Sequence, residues 1–288
     1  MNKNNISLIE KELKNKKIKM LAILAPSFVA EFDYPIILSQ LKELGFDKVV
    51  ELTFGAKMIN REYHKQLESY KNKKEKKLII SSACAGIQET IPNKFPKLRN
   101  NLINIDSPMI ATAKICKKIY PTHKLVFISP CQFKKIEAQK SKYLDYVIDY
   151  QQLKQILSKN KLKDNKTKNK NNKKWDKFYN DYTKVYPLSG GLSKTAHLKG
   201  AIKKSECKVI DGIKRVEQFL KKPERNIRFL DVTFCKGGCI GGPCLSNNLT
   251  LAQKKKRILD YMKLAEKEDI PNQNLGIIKR AEGIKFMK

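Results

Sequence analysis

Four cysteines in three separate motifs constrain the fold of this 288-residue chain more than any other feature. Cys84 lies in SSACAGI, Cys131 in ISPCQFKKIE, and Cys235 and Cys239 in DVTFCKGGCIGG. Because the motifs stand far apart, their thiols can act together only if the fold brings three distant segments to one place. A compact zinc finger, whose ligands are close in sequence, matches this arrangement poorly.

Short apolar runs that alternate with helical segments predict the fold class. The expected fold is α/β with two lobes, each a mainly parallel sheet flanked by helices. The predicted strands are 19–24, 48–52, 77–81, 124–128 and 227–232, and the predicted helices are 6–17, 33–44, 57–70, 108–119, 212–220 and 249–268, with a further helix from 192. Ligands of parallel sheets sit beyond the carboxyl ends of the strands, where Cys84 and Cys131 are expected.

The lysine-rich run KNKLKDNKTKNKNNKK divides the chain. A polar, low-complexity segment cannot bury apolar surface, so we interpret it as an insertion between two lobes. We expect an N-terminal lobe over residues 1–150, with the first two cysteine motifs, and the insertion over 151–184. The C-terminal lobe, 185–288, would hold the third motif and a terminal helix. The cysteine site is then expected between the lobes.

The net charge of +32 comes more from lysine than from arginine. The lysines are spread over the whole chain rather than gathered with aromatic residues, so we interpret them as solvated surface and not as a nucleic-acid site. Such a surface would attract an acidic electron carrier by long-range steering. No run approaches the ~18 apolar residues of a membrane span. The polar N-terminus does not resemble a secretion signal, so we expect a cytoplasmic protein without membrane insertion.

The cysteine usage indicates reduced thiols that are available to a metal. Seven cysteines, an odd number, do not form a closed disulfide framework. Cys116 and Cys207 are interpreted as small buried hydrophobes, and Cys244 as a spare thiol near the third motif. In that motif, CKGGCIGGPC, glycines would let the backbone approach an inorganic ligand and point amides at it.

Zinc and iron–sulfur clusters are the two competing metal groups. Structural zinc usually takes paired Cys-x-x-Cys knuckles, whereas this chain has only one close pair, Cys235 and Cys239. Iron–sulfur clusters are held by cysteine thiolates and are tuned by amide hydrogen bonds to their sulfurs. The thiols from distant segments and the glycine-rich loop therefore favour an iron–sulfur cluster.

Taken together, the three motifs resemble the catalytic domain of iron-iron hydrogenases. SSACAGI is similar to the family's TSCCPGW, SPCQFKKIE to MPCxxKxxE, and DVTFCKGGCIGG to ExMACxxGCxxG. Lesser matches are APS at 25–27, FGA at 54–56, SP at 107–108 and SGGL at 189–192, the last resembling the family's TGGV. Each motif alone is weak, but their common order over most of the chain is specific.

The resemblance implies an H-cluster, which is a 4Fe–4S cubane joined to a two-iron subcluster with CO, cyanide and dithiolate ligands. By motif position, Cys84, Cys131, Cys235 and Cys239 would hold the cubane. Cys239 would bridge to the two-iron subcluster and Lys134 would donate to a cyanide, and these two residues are the expected catalytic residues. An ammonium group suits that role because it is a compact donor for an anionic ligand.

The resemblance also implies the cofactor surroundings and the partners. Ala25, Pro26, Ser27, Ser107 and Pro108 would contact the cofactor. The implied partners are a ferredoxin-like acidic electron carrier and the hydrogenase maturation proteins. No Cys-x-x-Cys-x-x-Cys run is present in the sequence. We therefore expect a minimal form without accessory ferredoxin-like domains, which takes electrons directly from its partner.

The proton-transfer residues depart from the family pattern. The position of the family's proton-delivering cysteine is occupied by Ala83, and the aligned relay positions are Tyr63, Gln66 and Ile103. Loss of a positioned acid typically costs ~10²–10⁴ in rate. We expect a slowed enzyme in which water or Glu62 substitutes.

These residues are compatible with three functions. The favoured one is a minimal iron-iron hydrogenase that interconverts protons, electrons and H2. A non-catalytic H2 or redox sensor with the same cluster is favoured by the missing relay. A 4Fe–4S-only assembly or scaffold protein is the third, and the presence of Lys134 and of the run at 25–27 speaks against it.

Overall fold

The computed structural model describes residues 6–71, 77–162, 174–176, 182–198, 200–266 and 279–288. The strands are β1 (Met20–Leu24), β2 (Lys48–Glu51), β3 (Ile79–Ile80), β4 (Lys124–Ser129), β5 (Tyr146–Asp149), β6 (Cys207–Asp211) and β7 (Phe229–Thr233). The first sheet has the order β2-β1-β4-β5 and the second sheet the order β3-β7-β6. All pairings between these strands are parallel, which confirms the predicted fold class.

Helices connect the strands and cover both sheets. The α-helices are α1 (Ile6–Lys14), α2 (Ile36–Leu44), α3 (Thr53–Tyr70), α4 (Ala85–Lys94), α5 (Pro108–Ile119), α6 (Phe133–Gln139), α7 (Tyr150–Lys159), α8 (Gly191–Thr195), α9 (Ile213–Lys221) and α10 (Leu251–Glu266). Short 3-10 helices occupy Pro26–Ala30, Pro96–Asn101, Tyr182–Val185, Lys204–Glu206 and Cys239–Gly241. None of the helices in the described ranges has the length and apolar character needed to cross a lipid bilayer.

Local capping signals explain where the helix predictions succeed. The helix predicted over 108–119 is confirmed with the same bounds, because Ser107 caps it and Pro108 fixes its first turn. The capping box of Asp149 and Gln152 begins α7, a helix that sequence reasoning missed although this signal is present. Strand β3 is shorter than its predicted range, and α4, α6, β5 and β6 were not predicted.

Much of the predicted insertion lies outside the described residues. Within it, α7 continues to Lys159, whereas 163–173 and 177–181 are not described. The first 150 residues supply strands to both sheets, since β3 pairs with β7. The division into lobes at 151–184 stays a prediction.

The first sheet is buried on both faces. Every residue of β1 is fully buried, and its side chains alternate between two cores. Met20, Ala22 and Leu24 pack with residues of α1, α2, α7 and α10. Leu21 and Ile23 pack with residues of α3 and α5. Burial on both faces is typical of parallel sheets and explains the uninterrupted apolar run MLAIL.

The second sheet shares one helical layer with the first. Ile79 and Phe229 pack in the same core as the residues of α3 and α5, so these helices lie between the two sheets. On its other face, Ile80 and Leu230 pack against α4 and α9. Strand β6 forms one edge of this sheet, where Val209 is 42% exposed. The connections that follow the carboxyl ends of β1, β3, β4 and β7 carry the residues of the candidate site.

Candidate metal centre

Three of the four motif cysteines follow the carboxyl ends of parallel strands. Cys131 comes shortly after β4 of the first sheet, whereas Cys84 and Cys235 follow β3 and β7, which are neighbours in the second sheet. Cys239 begins a short 3-10 helix. The backbone N–H of Phe234 donates to Cys84 Sγ at 3.4 Å, which joins the loops after β3 and β7. The thiols therefore come from both sheets.

A cavity of about 90 Å³, the inner cavity, lies among these loops. Cys84, Cys131 and Cys239 line it, together with Lys134. Other predicted site residues in its wall are Ala25, Pro26, Ser27 and Pro108. Since about 10–15 Å³ of such volume holds one water, the inner cavity has room for a ligand of several atoms.

The electrostatic coupling of the thiols places Cys235 with the other three. Burial is the largest cause that raises the pKa of Cys131 to about 12, and Cys84 and Cys235 add to it. Burial and Cys84 likewise raise the pKa of Cys235 to about 11. The pKa of Cys239 is raised by burial and then by the other three thiols. As a residue Cys239 is exposed, and it also borders the inner cavity.

An all-sulfur donor set of this kind fits a cluster. Soft thiolate ligands select iron–sulfur clusters, zinc or Cu(I), and metal binding would replace the protons that the raised pKa values hold on the thiols. Within the described ranges, no three His, Cys, Asp or Glu side chains are arranged around a single metal ion. Thiolates on one zinc would stand about 4 Å apart because the Zn–S bond is about 2.3 Å. In a cubane each thiolate binds its own iron.

Lys134 is the only cationic side chain among the described residues that line the inner cavity. It lies in the first turn of α6, directly after the Cys131 loop, and its Nζ is 2.6 Å from Glu137 Oε2. Burial is the largest single influence and opposes the charge of Lys134, but the ion pair and hydrogen bond with Glu137, together with Cys131 and Cys84, outweigh it and raise the pKa. Lys134 therefore stays an ammonium group at neutral pH and offers positive charge to an anionic ligand.

The loop that carries Cys239 depends on a glycine. Gly238 has φ +80°, and a Cβ at this position would lie 2.4 Å from the carbonyl oxygen of Pro187. The next residue, Cys239, donates its backbone N–H to the same oxygen at 2.7 Å. The close approach of these two backbone segments fixes the position of Cys239 on the wall of the inner cavity.

The turn after β1 is held by a tyrosine that sequence reasoning missed. The Tyr150 hydroxyl donates to the Ala25 carbonyl at 3.1 Å and lies 2.7 Å from Ser27 Oγ.

Ser107 is the one predicted cofactor-contacting residue that does not line the inner cavity. Its Oγ accepts the N–H of Ile110 at 3.5 Å as the N-cap of α5.

The aligned relay positions carry apolar, phenolic and amide side chains. Ala83 lines the inner cavity, and Ile103 is 5% exposed. Tyr63 is fully buried, and its hydroxyl accepts the Ser82 N–H at 2.8 Å and lies 3.2 Å from Ser82 Oγ. Burial raises the pKa of Tyr63, so this phenol stays neutral and fixed. Asp231 and Tyr186 also line the inner cavity, and neither was predicted as a site residue.

The fold and the site define a class of protein: an α/β protein with two parallel sheets and a cysteine-lined cavity at their strand ends. Residues 18–243 match the family model described as iron only hydrogenase large subunit, C-terminal domain. The chain belongs to this family, which confirms the resemblance read from the cysteine motifs.

A curated relative agrees with the family match. Iron hydrogenase 1 of Clostridium pasteurianum is 25% identical over 254 residues, covering 72% of this chain and 44% of that protein. The chain thus spans less than half the length of this relative.

Solved structures show the same fold. A variant of FeFe-hydrogenase HydA1 from Chlamydomonas reinhardtii superimposes with a TM-score of 0.69 at 16% identity, covering 89% of this chain and 88% of that chain. An apo variant of the same protein gives a TM-score of 0.68 at 15% identity, with the same coverage. At this identity the likeness shows the fold, and it confirms the predicted architecture.

Proposed function

We propose that this chain is an iron-iron hydrogenase that interconverts protons, electrons and H2 at an H-cluster. The observation that carries the proposal is the convergence of Cys84, Cys131 and Cys239, from loops of both sheets, on the wall of the inner cavity, with Cys235 four residues before Cys239. Family membership supports iron–sulfur over zinc as the metal group that these thiols hold.

The four thiols would hold a 4Fe–4S cubane, and Cys239 would bridge to a two-iron subcluster with CO, cyanide and dithiolate ligands. When bound, this cofactor supplies stored electrons and an open iron position for proton chemistry. Apolar wall residues such as Ala25, Pro26 and Pro108 would exclude water from that position.

Positive charge from the protein would stabilise the anionic ligands. Lys134 would donate to a cyanide, and Glu137, 2.6 Å away, would position it. Helix α4 begins directly after Cys84, and α5 begins at Pro108 in the wall of the inner cavity. The partial positive charge at the start of these two helices favours an anion there.

The partners follow from charge and cofactor chemistry. A net charge of +32 would attract an acidic, ferredoxin-like electron carrier by long-range steering. The two-iron subcluster would require maturation proteins, and the expected location is the cytoplasm.

Infrared spectroscopy tests the proposal most directly. After anaerobic maturation, the wild-type protein is expected to show CO and cyanide bands and to form H2 from a reduced dye. Cys239→Ala is expected to abolish the bands because it removes the bridging thiolate. Cys116→Ala, which alters a fully buried thiol in α5, is the matched control and should retain them.

Each other outcome contradicts a stated part of the proposal. Equal loss of bands in both variants would show that the ligand assignment is wrong. Bands without H2 formation would identify the sensor alternative, which Ala83 and the neutral phenol of Tyr63 favour. Iron–sulfur absorption without the CO and cyanide bands would identify a scaffold protein.

A further inference from the structure

A second and larger cavity lies near the inner cavity. This outer cleft has a volume of about 1290 Å³, and its wall includes Ser189, Ser193, Lys203, Cys207 and Arg228. Its residues belong mainly to the region of α8 and to the edge strand β6. A cleft of this size holds many waters, which can take up and release protons.

One pair of side chains connects the outer cleft with the inner cavity. Asp231 lines the inner cavity and is 4% exposed. Its Oδ2 accepts the Ser193 hydroxyl at 2.6 Å and the Ser193 backbone N–H at 2.9 Å. Ser193 itself lines the outer cleft, where its Oγ is 3.6 Å from the Cys207 sulfur. The chain of polar atoms therefore runs from one cavity to the other.

Asp231 is the only carboxylate among the described residues in the wall of the inner cavity. Both hydrogen bonds from Ser193 end on Oδ2, so neither occupies Oδ1, and the carboxyl group belongs to a residue that lines the inner cavity. Burial raises the pKa of Asp231 against the lowering effect of these two bonds. A carboxyl with a raised pKa exchanges protons more readily near neutral pH.

The aligned relay positions, Ala83, Tyr63, Gln66 and Ile103, carry no carboxyl group or thiol. Ala83 carries no proton, and the Tyr63 hydroxyl is tied to Ser82. A proton that enters or leaves the inner cavity therefore needs a route that these positions do not provide.

We propose that Asp231 and Ser193 conduct protons between the outer cleft and the inner cavity, with the Cys207 thiol at the cleft end. The inference rests on the proposed function, because it requires a site that consumes or releases protons. During H2 formation, Asp231 gives its proton to the site and takes the hydroxyl proton of Ser193. Ser193 takes a proton from Cys207 or from water, and Cys207 takes one from water. Each group gains one proton for each that it gives, and H2 oxidation reverses the order.

Two variants interrupt the route and a third serves as control. Asp231→Asn keeps the shape of the side chain and an oxygen that accepts from Ser193, but it cannot carry the proton. We expect H2 formation from a reduced dye to fall by ~10²–10⁴ in Asp231→Asn. The rate of H2 formation should fall less in Ser193→Ala, because a water molecule can take the place of the missing hydroxyl. Ser189→Ala, which alters another hydroxyl of the outer cleft, should keep the wild-type rate.

A structural role is separated from proton conduction by infrared spectroscopy. All three variants should show CO and cyanide bands at wild-type intensity. After a pH jump, the bands should respond more slowly in Asp231→Asn and Ser193→Ala than in Ser189→Ala. Wild-type rates of response and of H2 formation in both route variants would overturn the inference. If Asp231→Asn does not take up the cofactor, Ser193→Ala decides the question alone.

The cleft end is tested in metal-free protein. Iodoacetamide should alkylate Cys207, which is partly exposed, much faster than the fully buried Cys116. Peptide mass mapping measures the extent of labelling at each thiol. Equal protection of both thiols would show that the outer cleft does not reach the route. If wild-type protein shows the bands but forms no H2, the proposed function fails, whereas the pH-jump comparison still tests the route.

Discussion

The two sheets of this protein differ in how deeply they are buried and in what they contribute to the site. All five residues of β1 in the first sheet are buried, and β4 is buried from its second residue onward. In the second sheet, β3 has two residues and the edge strand β6 is largely accessible. Yet two of the three strands that lead directly to motif cysteines, β3 and β7, belong to the second sheet.

The difference separates stability from chemistry. A sheet buried on both faces gains hydrophobic stabilisation along its whole length, at roughly 25 cal/mol for each Å² of apolar surface removed from water. In the second sheet, the edge strand β6 removes less apolar surface from water. The loops that follow β3 and β7 carry thiols that a bound cluster would join. A ligand that binds only the folded state adds stability by mass action. We therefore expect the first sheet to determine stability in metal-free protein, whereas cofactor binding stabilises the loops of the second.

The largest effect is expected in the centre of the first sheet. Ile23→Ala in β1 removes a fully buried side chain between two paired strands. Substitutions of this kind cost ~2–5 kcal/mol because they remove buried apolar contacts and leave a cavity. Chemical denaturation of metal-free protein, followed by circular dichroism, measures the loss.

The matched substitution in the second sheet is Val209→Ala. Its side chain is 42% exposed on the edge strand β6, so the free energy of unfolding should change by no more than ~0.5 kcal/mol. A loss as large as that of Ile23→Ala would contradict the difference between the sheets.

An intermediate effect is expected in the loop that joins β7 to Cys239. Gly238→Ala forces an alanine to adopt a positive φ and brings its Cβ against the Pro187 carbonyl oxygen. We expect the free energy of unfolding to fall by ~1–3 kcal/mol. Iron content after reconstitution should fall as well, because the loop would move away from the site. Gly200→Ala is the control, since Gly200 has φ +94° and no atom lies within 4 Å of an added Cβ. Equal iron loss in both variants would show that iron content follows backbone strain in general and not the contact between this loop and Pro187.

A smaller loss of stability than in Gly238→Ala separates helix capping from cofactor binding. Ser107→Ala removes the N-cap of α5 and should cost about 1 kcal/mol of unfolding free energy. The CO and cyanide bands should keep their positions, because Ser107 does not line the inner cavity. A shift of these bands would show instead that Ser107 contacts the cofactor, as the family resemblance implies.

Structural features that are determined by residues close together in the sequence could be predicted from the sequence. The apolar run of β1 predicted a buried strand, and the helix predicted over 108–119 matches the observed bounds of α5. Helix α6 was missed because only Ala138 of its seven residues is buried, so it carries no apolar periodicity. Strand β6 was missed for a similar reason, since an accessible edge strand has little apolar alternation.

By itself, the sequence determined the α/β class, the three cysteine motifs and the position of Lys134 beside Cys131, because strand patterns and motif spacings are local properties of the chain. The tertiary structure alone decided that the two-residue β3 pairs with β7 and that Ser193 meets Asp231 across 38 residues. Both contacts form where Ile79 of β3, Phe229 of β7 and Leu192 of α8 pack in one core. No local pattern encodes a contact that depends on the packing of segments so distant in the chain.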